Sequence, residues 1–293
     1  MMFVGTVARA AASLVAGFIL GAEVQPPAAV RPPSMVSRAV CQPTFQTVDG
    51  EFSAGTAFVT RLQATTGSAP SPAILVTAHH LFGPDGGLPR QIAGNDLPAF
   101  VVSVRCEGLE NAADVIAAKR PLRVVDARPY SAPGNPRDVA LFPLPAQDSR
   151  SLLLSDEGVG LRSPVWLIAR VAGGEPPAKL LHEARVATMN ARWLEFDYRN
   201  PNLDLTATSG APIVDERGRV VGINIGVRRA GGRLIGVAQP ASVLRAAVTR
   251  ALAPARDDRH SRGDHDHDVQ PGSSPSTRRS RSRPAAGNAG RLR

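Results

Sequence analysis

From Val40 to Gln239 the chain is written in short apolar runs broken by turn residues, and this rhythm limits the fold more than any other feature. A first series predicts strands over Val40–Val48, Gly55–Thr60, Ala73–Thr77, Ala99–Arg105 and Leu122–Val125. Asp49-Gly50, Gly67-Ser68-Ala69-Pro70 and Gly83-Pro84-Asp85-Gly86-Gly87 punctuate it. A second series predicts strands over Pro164–Val171, Leu180–Ala187, Trp193–Asp197, Ile213–Asp215, Val220–Ile225 and Leu234–Gln239. Asp215 to Gly218 reads as a hairpin turn, because a terminal glycine tolerates positive φ. Such a series predicts an antiparallel sandwich or barrel and argues against alternating strands and helices. Asn111 to Arg120 reads as one or two helical turns, and Ala146 to Gly160 as a polar connector. Val243, Leu244, Ala247, Val248 and Leu252 repeat at helical spacing behind Pro240, so a short helix is expected over Ala241–Leu252. The expectation is one region, residues 35–253, holding a first β unit (about 35–145), a second (about 160–240) and the helix.

The ends of the chain differ in composition. Residues 1–22 read as an export signal or N-terminal anchor: a lone Arg9, the apolar run Ala10 to Leu20, then the small pair Gly21-Ala22. The run after Arg9 is too short to span a bilayer, whereas an uncleaved leader counted from Met1 would associate with a membrane. Residues 23–34 form a Pro-rich spacer. Export bears on Cys41 and Cys106, the chain's two cysteines, for which a single disulfide is the simplest reading. The expected location is periplasmic or secreted. From Pro254 to Arg293 no apolar period survives, and a disordered charged tail is expected. Nine arginines against five aspartates there carry nearly half of the formal charge of +9. Asp264-His265-Asp266-His267-Asp268 could hold a divalent metal weakly and Arg278-Arg279-Ser280-Arg281-Ser282-Arg283 a phosphate-rich polymer, but both fit a solvated tail better. Aromatics are 4% of the chain and none interleaves the basic run, so no specific nucleic-acid partner is expected.

Chemistry is concentrated in three stretches. Thr206-Ala207-Thr208-Ser209-Gly210-Ala211-Pro212 places a serine among small residues where a strand pattern stops and restarts. An ordinary turn would look the same, and a serine hydroxyl is a poor nucleophile without a base and an orienting acid. Of six histidines, His260, His265 and His267 fall in the tail and His182 within a predicted strand. His79 and His80 end the apolar strand Ile74-Leu75-Val76-Thr77, where a ring can face a cleft. Asp138 enters the apolar run Val139-Ala140-Leu141-Phe142, and a carboxylate buried there needs a partner such as an imidazole N–H.

Thr77-Ala78-His79-His80, Asp138-Val139-Ala140-Leu141 and Thr208-Ser209-Gly210-Ala211-Pro212 together resemble the signatures of trypsin-like (chymotrypsin-fold) serine peptidases, in the order His, Asp, Ser. The resemblance runs from Gly55 to Pro240, and Val220-Val221-Gly222-Ile223-Asn224 is similar to the strand after the serine in bacterial periplasmic members. It implies two six-stranded antiparallel β-barrels with the site between them, no metal or organic cofactor, and peptide or protein substrates. His80, three residues after Thr77, would be the general base, Asp138 its orienting acid and Ser209 the nucleophile of an endopeptidase. The N–H groups of Ser209 and Ala207 would hold the oxyanion. Ala207 departs from the family's glycine, so positive φ there is costly. Ala211 also stands where glycine is common. Thr208 stands where digestive members carry the aspartate that pairs with a freed N-terminus, so that activation route is not expected. Leu203, Ile225, Gly226 and Val227 would line the specificity pocket, which points to a small or apolar residue before the scissile bond. Two rival readings remain: a chymotrypsin-fold binding protein with a degraded oxyanion hole, and an esterase using the same residues.

Overall fold

The computed structural model describes residues 37–63, 71–131, 137–145 and 150–253. The leader, the Pro-rich spacer and the charged tail read from the sequence lie outside these residues.

The first strand series forms an eight-stranded antiparallel-rich sheet. Its strands are β1 (Val40–Thr47), β2 (Gly50–Ser53), β3 (Ala57–Arg61), β4 (Ile74–Thr77), β5 (Val101–Gly108), β6 (Val115–Ala118), β7 (Ala140–Pro143) and β8 (Leu152–Leu153). The central order is β6-β5-β1-β3-β4-β7, with β2 paired to β1 and β8 parallel to β3. The sheet curls without closing into the first of the two six-stranded barrels that the family resemblance implied. A hydrogen bond from Leu122 N–H to Leu141 O (2.7 Å) draws the segment after β6 onto β7, but Leu122–Val125 forms no strand. A short helix, α1 (Leu97–Phe100), precedes β5.

Two further differences have simple causes. Asn111–Arg120 contains β6, whose residues alternate exposed and buried at the two-residue period of a strand. Its Val-Ile pair favours that conformation over the helical turns expected. The segment expected to be a connector supplies β8 and a bridge from Leu154 to Val220. Cys41 and Cys106 are joined in a disulfide across the paired strands β1 and β5.

The second series closes into a barrel of β9 (Pro164–Ile168), β10 (Leu181–Met189), β11 (Leu194–Tyr198), β12 (Pro212–Val214), β13 (Val220–Ala230) and β14 (Arg233–Pro240), in the order β10-β11-β14-β13-β12-β9. Gly218, at φ 73°, ends the Asp215–Gly218 hairpin turn joining β12 to β13. Helix α2 (Ala241–Leu252) follows β14 and buries Leu244, Ala247 and Val248, the face that the helical spacing marked. Among the described residues no helix is long and apolar enough to cross a membrane.

One polar group inside this barrel weakens it. Tyr198 is 3% exposed and packs edge-on against Phe196, yet its hydroxyl has no hydrogen-bond partner. Burial alone pushes that phenol's pKa upward. Tyr198→Phe removes an uncompensated polar group and keeps the ring, so it is expected to stabilise the protein by about 1 kcal/mol. Urea unfolding of both proteins measures this, and a loss of stability would show that the hydroxyl is satisfied.

Candidate active site

β4 ends at Thr77, Ala78 stays extended, and His79–Phe82 then winds a single 3₁₀ turn. That turn sends two successive imidazoles into different environments. His80 is clamped at two points by Asp138: its backbone N–H donates to Oδ1 at 2.8 Å, and its ring Nδ1 lies 2.8 Å from Oδ2. The Tyr130 N–H also donates to Oδ2 (3.0 Å), so the fully buried carboxylate accepts three N–H groups. This is the compensation that a buried acid requires. Because a carboxylate can only accept, the proton on His80 sits on Nδ1 and leaves Nε2 as an acceptor. The Asp138 N–H donates to Gln239 Oε1 (2.9 Å) at the end of β14, which ties the acid to the second barrel. His79, by contrast, is buried with neither ring nitrogen hydrogen-bonded, and burial lowers its pKa to about 4. His182, on β10, is buried between Glu175 Oε2 (2.7 Å) and the Ala169 carbonyl (3.0 Å), a structural position.

Ser209 lies in the loop between β11 and β12. Within it Leu205–Thr208 closes a turn, with both the N–H (3.1 Å) and the hydroxyl (2.7 Å) of Thr208 donating to the Leu205 carbonyl. Ala207 is the third residue of this turn and adopts φ 63°. The left-handed conformation costs a non-glycine residue about 1–2 kcal/mol. Thr56 offsets part of that cost from the other β unit: its hydroxyl donates to the Ala207 carbonyl (2.9 Å) and its N–H to the Ser209 carbonyl (2.8 Å). Thr56 is itself fixed by the Thr77 hydroxyl, which donates to its carbonyl (2.7 Å). Gly210 makes the approach between the units possible. At φ 88°, a Cβ there would fall 2.2 Å from the Thr56 carbonyl oxygen and 3.0 Å from the Ala78 nitrogen. The serine loop therefore rests on the end of β4, two residues before His80.

The four residues expected to line a specificity pocket separate. Ile225 is packed in the core, and Gly226 lies beneath the Tyr130 ring, whose hydroxyl is 3.0 Å from where a Cβ would stand. Leu203 and Val227 border a cavity of about 480 Å³ together with Asp204, Thr206, Arg228 and Arg229, so its wall is more polar than the sequence suggested. Arg229 is held by the carbonyls of Pro201 (2.5 Å) and Leu203 (3.2 Å). Among the described residues no three His, Cys, Asp or Glu side chains are grouped to hold a metal ion.

Sequence reasoning did not single out Thr56, Tyr130 or Gln239. Tyr130 acts through its backbone amide, which has no side-chain signature. Gln239 was legible in principle, as an amide ending an apolar strand and buried to 2% exposure.

A closed antiparallel barrel beside a curled β sheet, with an Asp-paired histidine and a serine loop at their junction, defines the class of trypsin-like serine peptidases. The family model for the trypsin-like peptidase domain matches residues 55–223, more than half of the chain, and the chain belongs to that family of trypsin-like peptidases. A search of curated proteins finds no match. Among solved structures, the inactive form of a serine-to-alanine variant of Rv3671c from M. tuberculosis H37Rv is similar at 18% identity and TM-score 0.45, covering 78% of this chain and 96% of that one. The serine endoprotease from Yersinia pestis is similar at 13% identity and TM-score 0.47 over 74% of this chain and 63% of that one. The HtrA-type protease AlgW with a decapeptide is similar at 14% identity and TM-score 0.46, covering 73% and 64%.

Proposed function

We propose that the chain hydrolyses peptide bonds through Ser209, His80 and Asp138. His80 Nε2 accepts the Ser209 proton as Oγ attacks the peptide carbonyl, and the imidazolium then gives that proton to the leaving amine. Asp138 holds the ring and stabilises the imidazolium without itself taking the proton. Water, deprotonated by the same ring, hydrolyses the acyl-enzyme and frees Ser209. The N–H groups of Ser209 and Ala207 hold the developing oxyanion. The observation that carries this reading is the two-point clamp of buried Asp138 on His80, which fixes the tautomer that a general base needs. We also propose that the protein works in an exported, periplasmic or secreted, setting, for which the Cys41–Cys106 disulfide is the supporting observation.

A fluorophosphonate that reacts with activated serines tests the chemistry. Wild type is expected to form a stable adduct and Ser209→Ala none, with both proteins folded by circular dichroism. A folded wild type that does not react would instead favour the binding-protein reading.

A further inference from the structure

Asn224 is an unusual residue to find in the core of the second barrel. It lies on β13, is 2% exposed, and its Oδ1 has no hydrogen-bond partner. A buried unsatisfied acceptor is destabilising, so folding alone favours an apolar residue here. Its Nδ2, however, is fully used. It donates to the Thr208 carbonyl (3.1 Å) and to the Thr208 hydroxyl (3.1 Å). The Asn224 backbone holds the same loop, accepting from Gly210 N–H (2.7 Å) and donating to the Ala211 carbonyl (2.8 Å).

The peptide that Nδ2 grips is the one joining Thr208 to Ser209. In a trans peptide the C=O and N–H point in opposite directions. Holding the Thr208 carbonyl toward the barrel interior therefore turns the Ser209 N–H outward. The Ala211 N–H also donates to that carbonyl (3.0 Å), but it belongs to the same loop and moves with it. Asn224 is the contact that ties the peptide to the rigid barrel.

We propose that the Asn224 side-chain amide is a positioning residue for the oxyanion hole, aiming the Ser209 N–H through the Thr208 carbonyl, and that the unsatisfied Oδ1 is retained as the cost of that role. The inference rests on the serine-peptidase reading and adds a residue that touches neither substrate nor reacting atoms. Asn224→Leu removes both the grip and the orphaned oxygen. Asn224→Asp keeps the shape but turns an acceptor toward the Thr208 carbonyl. Thr208→Val removes the hydroxyl's bonds to Asn224 Nδ2 and to the Leu205 carbonyl, and leaves the Asn224 contact to the Thr208 carbonyl and the Thr208 N–H bond to Leu205 in place.

The experiment measures fluorophosphonate labelling rate and thermal unfolding for wild type and the three variants, with a crystal structure of Asn224→Leu. Losing one oxyanion donor costs about 10²–10³ in rate. Asn224→Leu and Asn224→Asp are expected to label about 10²-fold more slowly, Asn224→Leu with unchanged or raised melting temperature, and Thr208→Val within a few-fold of wild type. A purely structural role would lower stability and rate together. Folded Asn224→Leu labelling at the wild-type rate overturns the proposal while leaving the peptidase reading intact. If wild type itself does not label, the peptidase reading falls and the crystal structure decides. A Thr208 carbonyl swung away from its wild-type direction supports the positioning role, and an unmoved one overturns it.

Discussion

Replacing Asp138 with asparagine is expected to lower kcat on the order of 10⁴-fold with KM little changed. The carboxylate accepts from three N–H groups, His80 N on one oxygen and His80 Nδ1 and Tyr130 N on the other. Asparagine has a single acceptor oxygen, so each orientation of its amide fails differently. With the oxygen toward the ring, the NH₂ faces the His80 backbone N–H, and a buried donor loses its partner at about 1–3 kcal/mol. With the NH₂ toward the ring, Nδ1 becomes an acceptor, the imidazole proton moves to Nε2, and the ring can no longer take the serine proton. The change thus removes either local order or the base itself. Steady-state kinetics on a peptide ester, with urea unfolding alongside, separates the two losses. A kcat within tenfold of wild type would remove Asp138 from the mechanism.

This pairing shows why some of the site could be read from sequence. Asp138 stood out because an acid next to Val139-Ala140-Leu141-Phe142 has to find a donor, and the structure supplies His80. The nucleophile loop was legible for a similar reason: Ser209 and Gly210 interrupt a strand pattern, and Gly210 proves to be a point of backbone contact between the two β units. Strand content followed from alternation and turn residues. Closure did not, because it depends on whether the edge strands of a curled sheet meet; β6 and β7 do not pair, and among the described residues the segment after β6 bridges to β7 through Leu122 N–H and Leu141 O. The specificity wall was the least legible part. Its lining depends on which faces of Leu203–Thr206 and Val227–Arg229 turn outward, and a bulge between Asn224 and Gly226 shifts that register. Such a bulge inserts a residue into one strand and breaks the alternation on which a sequence reading relies.

His79 should make the protein acid-labile, and His79→Leu should cure most of that lability. The ring is fully buried beside Phe82, neither nitrogen has a partner, and burial lowers its pKa from 6.5 to about 4. Burial is the largest cause; the charge on Asp138 favours the protonated ring but does not outweigh it, and His80 disfavours that ring as burial does. In the unfolded chain the ring titrates near its ordinary value, so between pH 6.5 and about 4 the unfolded state binds more protons than the folded one. Stability rises with pH wherever that holds. The neutral ring therefore leaves stability intact above about pH 6.5 and subtracts roughly 1.4 kcal/mol for each unit of acidification below it. The total loss levels off near pH 4 at about 3 kcal/mol. Leucine has a similar volume, carries no proton and leaves no polar atom unsatisfied. Urea unfolding of wild type and His79→Leu at pH 7.5 and 4.5 should show the variant at least as stable at the higher pH. At the lower pH the gap should widen by about 2–3 kcal/mol. Comparing the two proteins cancels the titration of every other group that the substitution leaves untouched. Fluorophosphonate labelling at pH 7.5 should survive in His79→Leu, because the ring bonded to Asp138 is that of His80. Parallel pH curves for the two proteins would mean that His79 is protonated within the fold. Loss of labelling in a folded His79→Leu would transfer the base from His80 to its neighbour.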